Sequence, residues 1–139
     1  MKVTRAEFVS ILVKALKLTA TTGNSFDDTA SHWAKDAIGT AAALGMVSGL
    51  EDHTFRPDDR ITREQMAVIV VRALKLTASS RSIDFKDHSA VSGWAIADIA
   101  AAVEKGLMKG YNDGTFGAKS NATRAEAATV ILKAVSIKQ

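Results

Sequence analysis

Thr62-Arg63-Glu64-Gln65-Met66-Ala67-Val68-Ile69-Val70-Val71-Arg72-Ala73-Leu74 carries both a helix start signal and a buried face. Thr62 and Gln65 have the spacing of a capping box, in which the hydroxyl takes the third residue's amide and the Gln65 side chain reaches back. Met66, Ile69, Val70, Ala73 and Leu74 then follow at helical spacing. The same arrangement occurs twice more. Thr4 with Glu7 precedes Phe8, Ile11, Leu12, Ala15 and Leu16, and Thr123 with Glu126 precedes Ala127, Val130, Ile131, Ala134 and Val135. Three matching amphipathic helices have three matching faces to bury, and the simplest solution places them around a pseudo-threefold axis as a three-helix core.

Outward from that segment the repetition continues. Trp33, Gly45, Gly49, Asp52, Phe55, Thr62 and Arg63 recur 61 positions later as Trp94, Gly106, Gly110, Asp113, Phe116, Thr123 and Arg124. Trp33, Ala34, Ala37, Ile38, Ala41 and Ala42 mark a second kind of helix, beginning near Trp33. Trp94, Ala95, Ile99, Ala102 and Val103 mark its copy. Gly45 and Gly106 suit left-handed helix ends, and Asp113-Gly114 is a tight-turn signal whose counterpart has His53 in the glycine position. Each repeat is one supersecondary unit that cannot bury its apolar face alone. The chain therefore reads as a single domain, with residues 1–20 a partial repeat and 21–78 and 79–139 full repeats. Its fold class is mainly all-α: helix-turn-helix repeats arranged as a pseudo-threefold trimer around a central three-helix bundle, with little or no sheet. Polar stretches at 19–25 and 77–84 join the copies.

Composition narrows the function. At 139 residues, 47% hydrophobic and 24% charged, this is an ordinary globular balance. The absence of cysteine removes disulfides, thiolate nucleophiles and cysteine-type zinc sites. His32, His53 and His88 share no ligand spacing, so no metal is expected, and no cofactor motif is present. A turn reads better than calcium for Asp52, Asp58 and Asp59, because the EF-hand ligand order is missing. Basic residues are scattered, which argues against nucleic acid. No apolar run is long enough for membrane insertion. A net charge of +3 mildly favours anionic partners. Arg5 and Glu7 break any signal-peptide pattern near Met1, so the expected chain is either cytosolic or a segment of a longer secreted protein; the mid-repeat start favours the second.

Arg5, Arg63 and Arg124 are the most informative polar residues. Each sits at the first position of its helix, where a cation opposes the helix dipole. One reading makes them solvated, or paired with a carboxylate such as Asp27 or Asp87. The other makes them anion sites, since a guanidinium fork beside free helix N-terminal amides suits a carboxylate or phosphate. Trp33 and Trp94 are either core anchors or platforms for the apolar face of a sugar. Phe55 and Phe116 read as core, and Phe26 and Phe85 as staples for the helix that follows.

Phe26-Asp27, His32-Trp33-Ala34, Gly45, Gly49, Asp52, Phe55-Arg56-Pro57 and Ile61-Thr62-Arg63 together resemble the S-layer homology repeat. The segment 85–135 matches as well, through Gly110-Tyr111-Asn112-Asp113-Gly114-Thr115-Phe116 and Thr123-Arg124-Ala125-Glu126. The resemblance implies a three-repeat pseudo-trimer that anchors bacterial surface proteins to secondary cell-wall polysaccharide bearing a pyruvylated amino-sugar. It implies that Arg5, Arg63 and Arg124 meet the pyruvyl carboxylate and that Trp33 and Trp94 occupy the family's aromatic position. It also places Asp27, Asp87, Gly49 and Gly110 along the grooves. The sequence departs from the pattern in four places. No first half accompanies Arg5, Gln65 stands where glutamate is usual, two extra residues precede Trp94, and Gly117-Ala118 replaces Arg56-Pro57.

The expected function is thus a non-catalytic anchoring module, located on the bacterial cell surface and binding an anionic wall polysaccharide between repeats. The rival is a structural module whose partial first repeat, exposing Phe8, Ile11, Leu12 and Leu16, is completed by self-association or by another segment. No nucleophile, acid–base pair or metal cluster recommends an enzyme.

Overall fold

The computed structural model describes residues 1–20, 26–47, 54–77 and 84–138. Five α-helices account for its regular structure: α1 (Arg5–Ala15), α2 (Lys35–Ala43), α3 (Arg63–Ala73), α4 (Ile96–Glu104) and α5 (Arg124–Lys138). Single 3-10 turns at His88–Ala90 and Gly93–Ala95 lead into α4. Among the described residues, the only strand-like pairings are three isolated bridges. The all-α expectation agrees with this.

α1, α3 and α5 are the capped helices. Each is started by a complete capping box: Thr4 with Glu7, Thr62 with Gln65, and Thr123 with Glu126. Such a cap contributes about 1 kcal/mol relative to alanine. These three helices touch one another pairwise, while α2 lies on α1 and α4 lies on α3. The core runs through all of them and includes the fully buried Phe8, Leu12, Ile38, Ile61, Met66, Ile99 and Phe116. α2 and α4 begin two residues after Trp33 and Trp94 and end in Schellman motifs. Met46 N–H reaches Ala41 O at 2.9 Å and Leu107 N–H reaches Ala102 O at 2.9 Å, with Gly45 and Gly106 at φ 77° and 75°. Lys17 and Lys75 hold the same left-handed position after α1 and α3 without glycine's freedom (φ 53° and 56°).

The segments entering the three capped helices join in a closed ring. Val3 N–H donates to Ala122 O (3.4 Å), Ala122 N–H to Ile61 O (2.8 Å) and Ile61 N–H to Val3 O (2.9 Å). The first amides of these three helices are consumed in the opposite cyclic sense. Arg5 and Ala6 donate to Asp59 O and Pro57 O, Arg63 and Glu64 to Ser120 O and Ala118 O, and Arg124 to Met1 O. Helix starts normally leave such donors unpaired; here the loop of the next copy supplies the acceptors.

The apolar face expected to be open on α1 is closed. Phe8, Leu12 and Leu16 are buried and only Ile11 is exposed, because α2, α3 and α5 all pack on α1. No helix among the described residues is long and apolar enough to cross a membrane.

Candidate functional site

Arg63 defines the best-formed site. It leaves the start of α3 and enters the loop of the next copy, where it is only 4% exposed. Nε donates to Phe116 O (2.8 Å), Nη2 to Lys109 O (2.7 Å) and Nη1 to Glu126 Oε2 (2.6 Å). Its guanidinium carbon lies 4.5 Å from the Tyr111 ring centroid and 4.8 Å from that of Phe116, a cation–π arrangement. The arginine is thus a clamp from one repeat into the next, using the planar fork that lysine lacks.

Glu126 serves both α5 and the clamp. Oε1 accepts the Thr123 amide as the capping box requires, and Oε2 accepts both Arg63 and the Tyr111 hydroxyl (2.8 Å). Burial alone would raise its carboxyl, but the Thr123 amide, Tyr111 hydroxyl and Arg63 guanidinium outweigh it and hold the pKa below the usual glutamate range. The Tyr111 phenol is pushed upward, first by burial and then by its bond to Glu126.

Asp87 supports this assembly from behind. Its carboxylate accepts Phe116 N–H (2.8 Å) and Gly117 N–H (2.9 Å), fixing the peptide whose carbonyl receives Arg63. Burial opposes ionisation there, yet the two amides keep the Asp87 pKa low. The earlier repeat reproduces the motif with Asp28, not Asp27: Asp28 accepts Phe55 N–H and Arg56 N–H at 2.8 Å, and Arg5 Nε donates to Phe55 O (3.1 Å). Asp27 is exposed. Phe26 and Phe85 stack on Phe55 and Phe116, with centroids 5.5 and 5.1 Å apart, so they brace the loop rather than staple the following helix.

A groove of about 260 Å³ opens beside Arg63, lined by Lys109, Gly110, Tyr111, Glu126, Thr129 and Lys133 among others. Its cations outnumber its single carboxylate, which suits an anion. Gly110 is needed for the wall's shape: a Cβ there would fall 2.4 Å from Phe85 Cε1 and 2.8 Å from Thr115 O.

The predicted residues are distributed unevenly around this groove. Arg63 and Gly110 line it, and Asp87 stands one layer behind. Arg5 is partly buried over the Phe55 ring (4.6 Å). Arg124 is exposed, with Nη2 2.9 Å from Glu7 Oε2. Gly49 lies outside the described residues. Trp33 and Trp94 are 68% and 58% exposed, so neither is a core anchor, and neither lines the groove. His32 Nδ1 accepts Ala34 N–H and Nε2 therefore donates to Asp58 (2.8 Å), holding the His32 ring 5.3 Å from Trp33.

Two expectations from the sequence need revision. Arg63 and Arg124 pair with the carboxylate of the next helix cap (Glu126 and Glu7), not with Asp27 or Asp87, and Arg5 donates to the Phe55 carbonyl. The amides at the starts of α1 and α3 are also not open to an anion, because loop carbonyls and the capping threonines occupy them. Tyr111, Glu126, Lys109 and Lys133 join the site without having been singled out as binding residues. Lys133 does leave a signal: Lys14, Arg72 and Lys133 are one repeat position, basic in all three copies.

Fold and site define a class: a helical-repeat module whose copies are locked together by an arginine reaching from the start of each capped helix. A model described as the S-layer homology domain matches residues 25–67 and 84–128, and the chain belongs to that family. It is similar to an amylopullulanase of Thermoanaerobacterium thermosulfurigenes, 35% identical over 93% of this chain and 7% of that protein. It is 34% identical to a cellulosome-anchoring protein of Acetivibrio thermocellus, over 93% of this chain and 31% of that one. An S-layer protein of Bacillus licheniformis matches at 33% over 86% of this chain and 14% of its own length. The chain thus spans less than a third of these relatives.

Proposed function

We propose that the chain is a non-catalytic module that anchors a bacterial surface protein to an anionic cell-wall polysaccharide, with pyruvylated amino-sugar as the recognised unit. Membership in the S-layer homology family and relatives named for cellulosome anchoring and the S-layer support the anchoring role. The closed ring through Val3, Ile61 and Ala122 supports reading the three copies about a pseudo-threefold axis. The observation that carries the ligand class is the groove beside Arg63, where Lys109 and Lys133 flank a single engaged carboxylate next to the Tyr111 ring. Trp33 and Trp94 offer exposed planes for a sugar's C–H face.

The copies are unequal. At Arg63 an incoming carboxylate competes with Glu126 for Nη1. In the copy facing Arg5 the same position is Gln65, whose Oε1 is taken by Thr62 N–H (2.9 Å), leaving an amide donor rather than an acceptor on its other branch. Arg5 is therefore the guanidinium best placed to take a ligand carboxylate, and Arg124, exposed beside Glu7, comes next.

Cosedimentation with purified walls, before and after chemical removal of the secondary polysaccharide, tests the role. Binding should vanish with the polymer, and Arg5→Met should weaken it more than Asp27→Asn does. Equal sedimentation with stripped walls would contradict the reading.

A further inference from the structure

One loop position reaches both exposed tryptophans, with opposite charge in the two copies. Asp58 and Lys119 lie 61 residues apart, the spacing that relates Trp33 to Trp94. Both side chains are largely exposed, yet each bonds to the residues just before its tryptophan. Asp58 Oδ1 accepts His32 Nε2–H at 2.8 Å, and the other nitrogen of that ring accepts Ala34 N–H at 3.0 Å. The imidazole therefore ties the loop to the backbone on both sides of Trp33, and its ring lies 5.3 Å from the indole at a 35° tilt. In the other copy Lys119 Nζ bonds Ser92 Oγ, and Glu64 takes both Lys119 Nζ (3.3 Å) and Ser92 N–H (3.2 Å). Ser92 O accepts Ala95 N–H (2.9 Å), closing the single turn that carries Trp94.

The charge exchange follows from the neighbours. His32 supplies a ring long enough to meet a short aspartate. Its counterpart is Gly93, which has no side chain and open space around it. A longer lysine reaches one residue further back, to Ser92. Glu64 then balances the ammonium. It is 1% exposed where the other copies have Ala6 and Ala125, and a carboxylate buried to that degree has to be paired and hydrogen-bonded. Neither the cap of α3 nor the Arg63 clamp uses its side chain. We propose that Asp58 and Lys119 are positioning residues, each a latch that fixes the plane of the tryptophan beside it before ligand arrives. Ordering a free side chain is part of the cost of binding, and a plane already held avoids it. That the ligand is a sugar rests on the proposed function; the latch itself does not.

The chain has two tryptophans, so Trp94→Phe leaves Trp33 as the sole indole and Trp33→Phe leaves Trp94. Near-UV circular dichroism and fluorescence anisotropy decay then report how firmly each indole is held, without ligand. Asp58→Ala should lower both signals for Trp33 and leave Trp94 unmoved, and Lys119→Ala should do the reverse. Asp58→Asn should restore Trp33, because an amide oxygen still accepts the imidazole N–H, and Lys119→Arg should restore Trp94. With both tryptophans present, Asp58→Ala should weaken binding to purified wall polysaccharide about twofold to fivefold, the range an exposed pair carries. Signals that stay put in both alanine variants would overturn the proposal. So would both tryptophans loosening together, which marks general destabilisation, or an Asp58→Asn variant that behaves like Asp58→Ala. Loosened tryptophans with unchanged polysaccharide affinity would remove the positioning role. If the parent chain binds no polysaccharide, the glycan reading fails and the ligand-free spectra alone decide the latch.

Discussion

Replacing Arg63 separates a structural clamp from a surface charge. Arg63→Ala removes three hydrogen bonds of 2.6–2.8 Å around an almost fully buried guanidinium, leaving Phe116 O and Lys109 O without that donor and Glu126 held by Thr123 and Tyr111. Removing one partner of a buried pair costs about 3–5 kcal/mol, a large part of the roughly 5–15 kcal/mol by which a domain is stable. For a chain of this size that lowers the melting temperature by roughly 10–15 °C. Arg124→Ala is the internal control. It is the same residue type at the same repeat position, but exposed and held by one contact to Glu7, so its loss should cost at most about 1 kcal/mol. Arg63→Lys keeps the charge but replaces the fork with a point donor, and should recover less than half of the loss. Urea unfolding followed by circular dichroism reads all three. If Arg63→Ala costs no more than Arg124→Ala, the inter-repeat clamp is wrong. The same series governs binding assays, since lost affinity in an Arg63 variant counts only if the variant is folded.

Gly110→Ala should destabilise by about 1–3 kcal/mol through overpacking, because its Cβ would meet the Phe85 ring and the Thr115 carbonyl; Gly93→Ala, with open space around it, is the thermal-melt control. Glu126, Glu7 and Asp87 all have lowered pKa values, so their stabilising contribution is present above the ordinary carboxylate range and is lost as pH falls through the folded values. Stability should be nearly flat from neutral to about pH 5 and fall below about pH 4. Glu126→Gln should flatten that fall, and an unchanged slope in acid-unfolding curves would remove Glu126 as a source of it.

The helices are legible in the sequence because their signals are local. A threonine followed three residues later by glutamate or glutamine, apolar residues at helical spacing, and a glycine after the last turn each act within one element, and all three capped helices begin where Thr4, Thr62 and Thr123 place them. The site is harder to read because its contacts cross repeats. Arg63 meets Glu126 63 residues away, and Asp28 reaches Phe55 N–H across 27. Adjacency to Phe26 favours Asp27 over Asp28, while the 59-residue offset from Phe26 to Phe85 pairs Asp28 with Asp87. The tryptophans mislead in another way: apolar size suggests burial, but each stands just before its helix and faces outward. The exposure of Leu132 on α5 carries no signal of its own, since it looks like any core leucine until the buried Val13 and Val71 at the same repeat position are compared with it.

Binding of a wall-polymer carboxylate by guanidinium groups of this module stands at the centre of the proposed function. Titration calorimetry with a pyruvylated wall-polysaccharide fragment, set beside the same fragment after pyruvyl removal, tests it most directly. The expected result is heat only with the pyruvylated form, sharply reduced in a folded Arg5→Met, Arg124→Met double variant that leaves the Arg63 groove intact. Equal affinity for both fragments would contradict it.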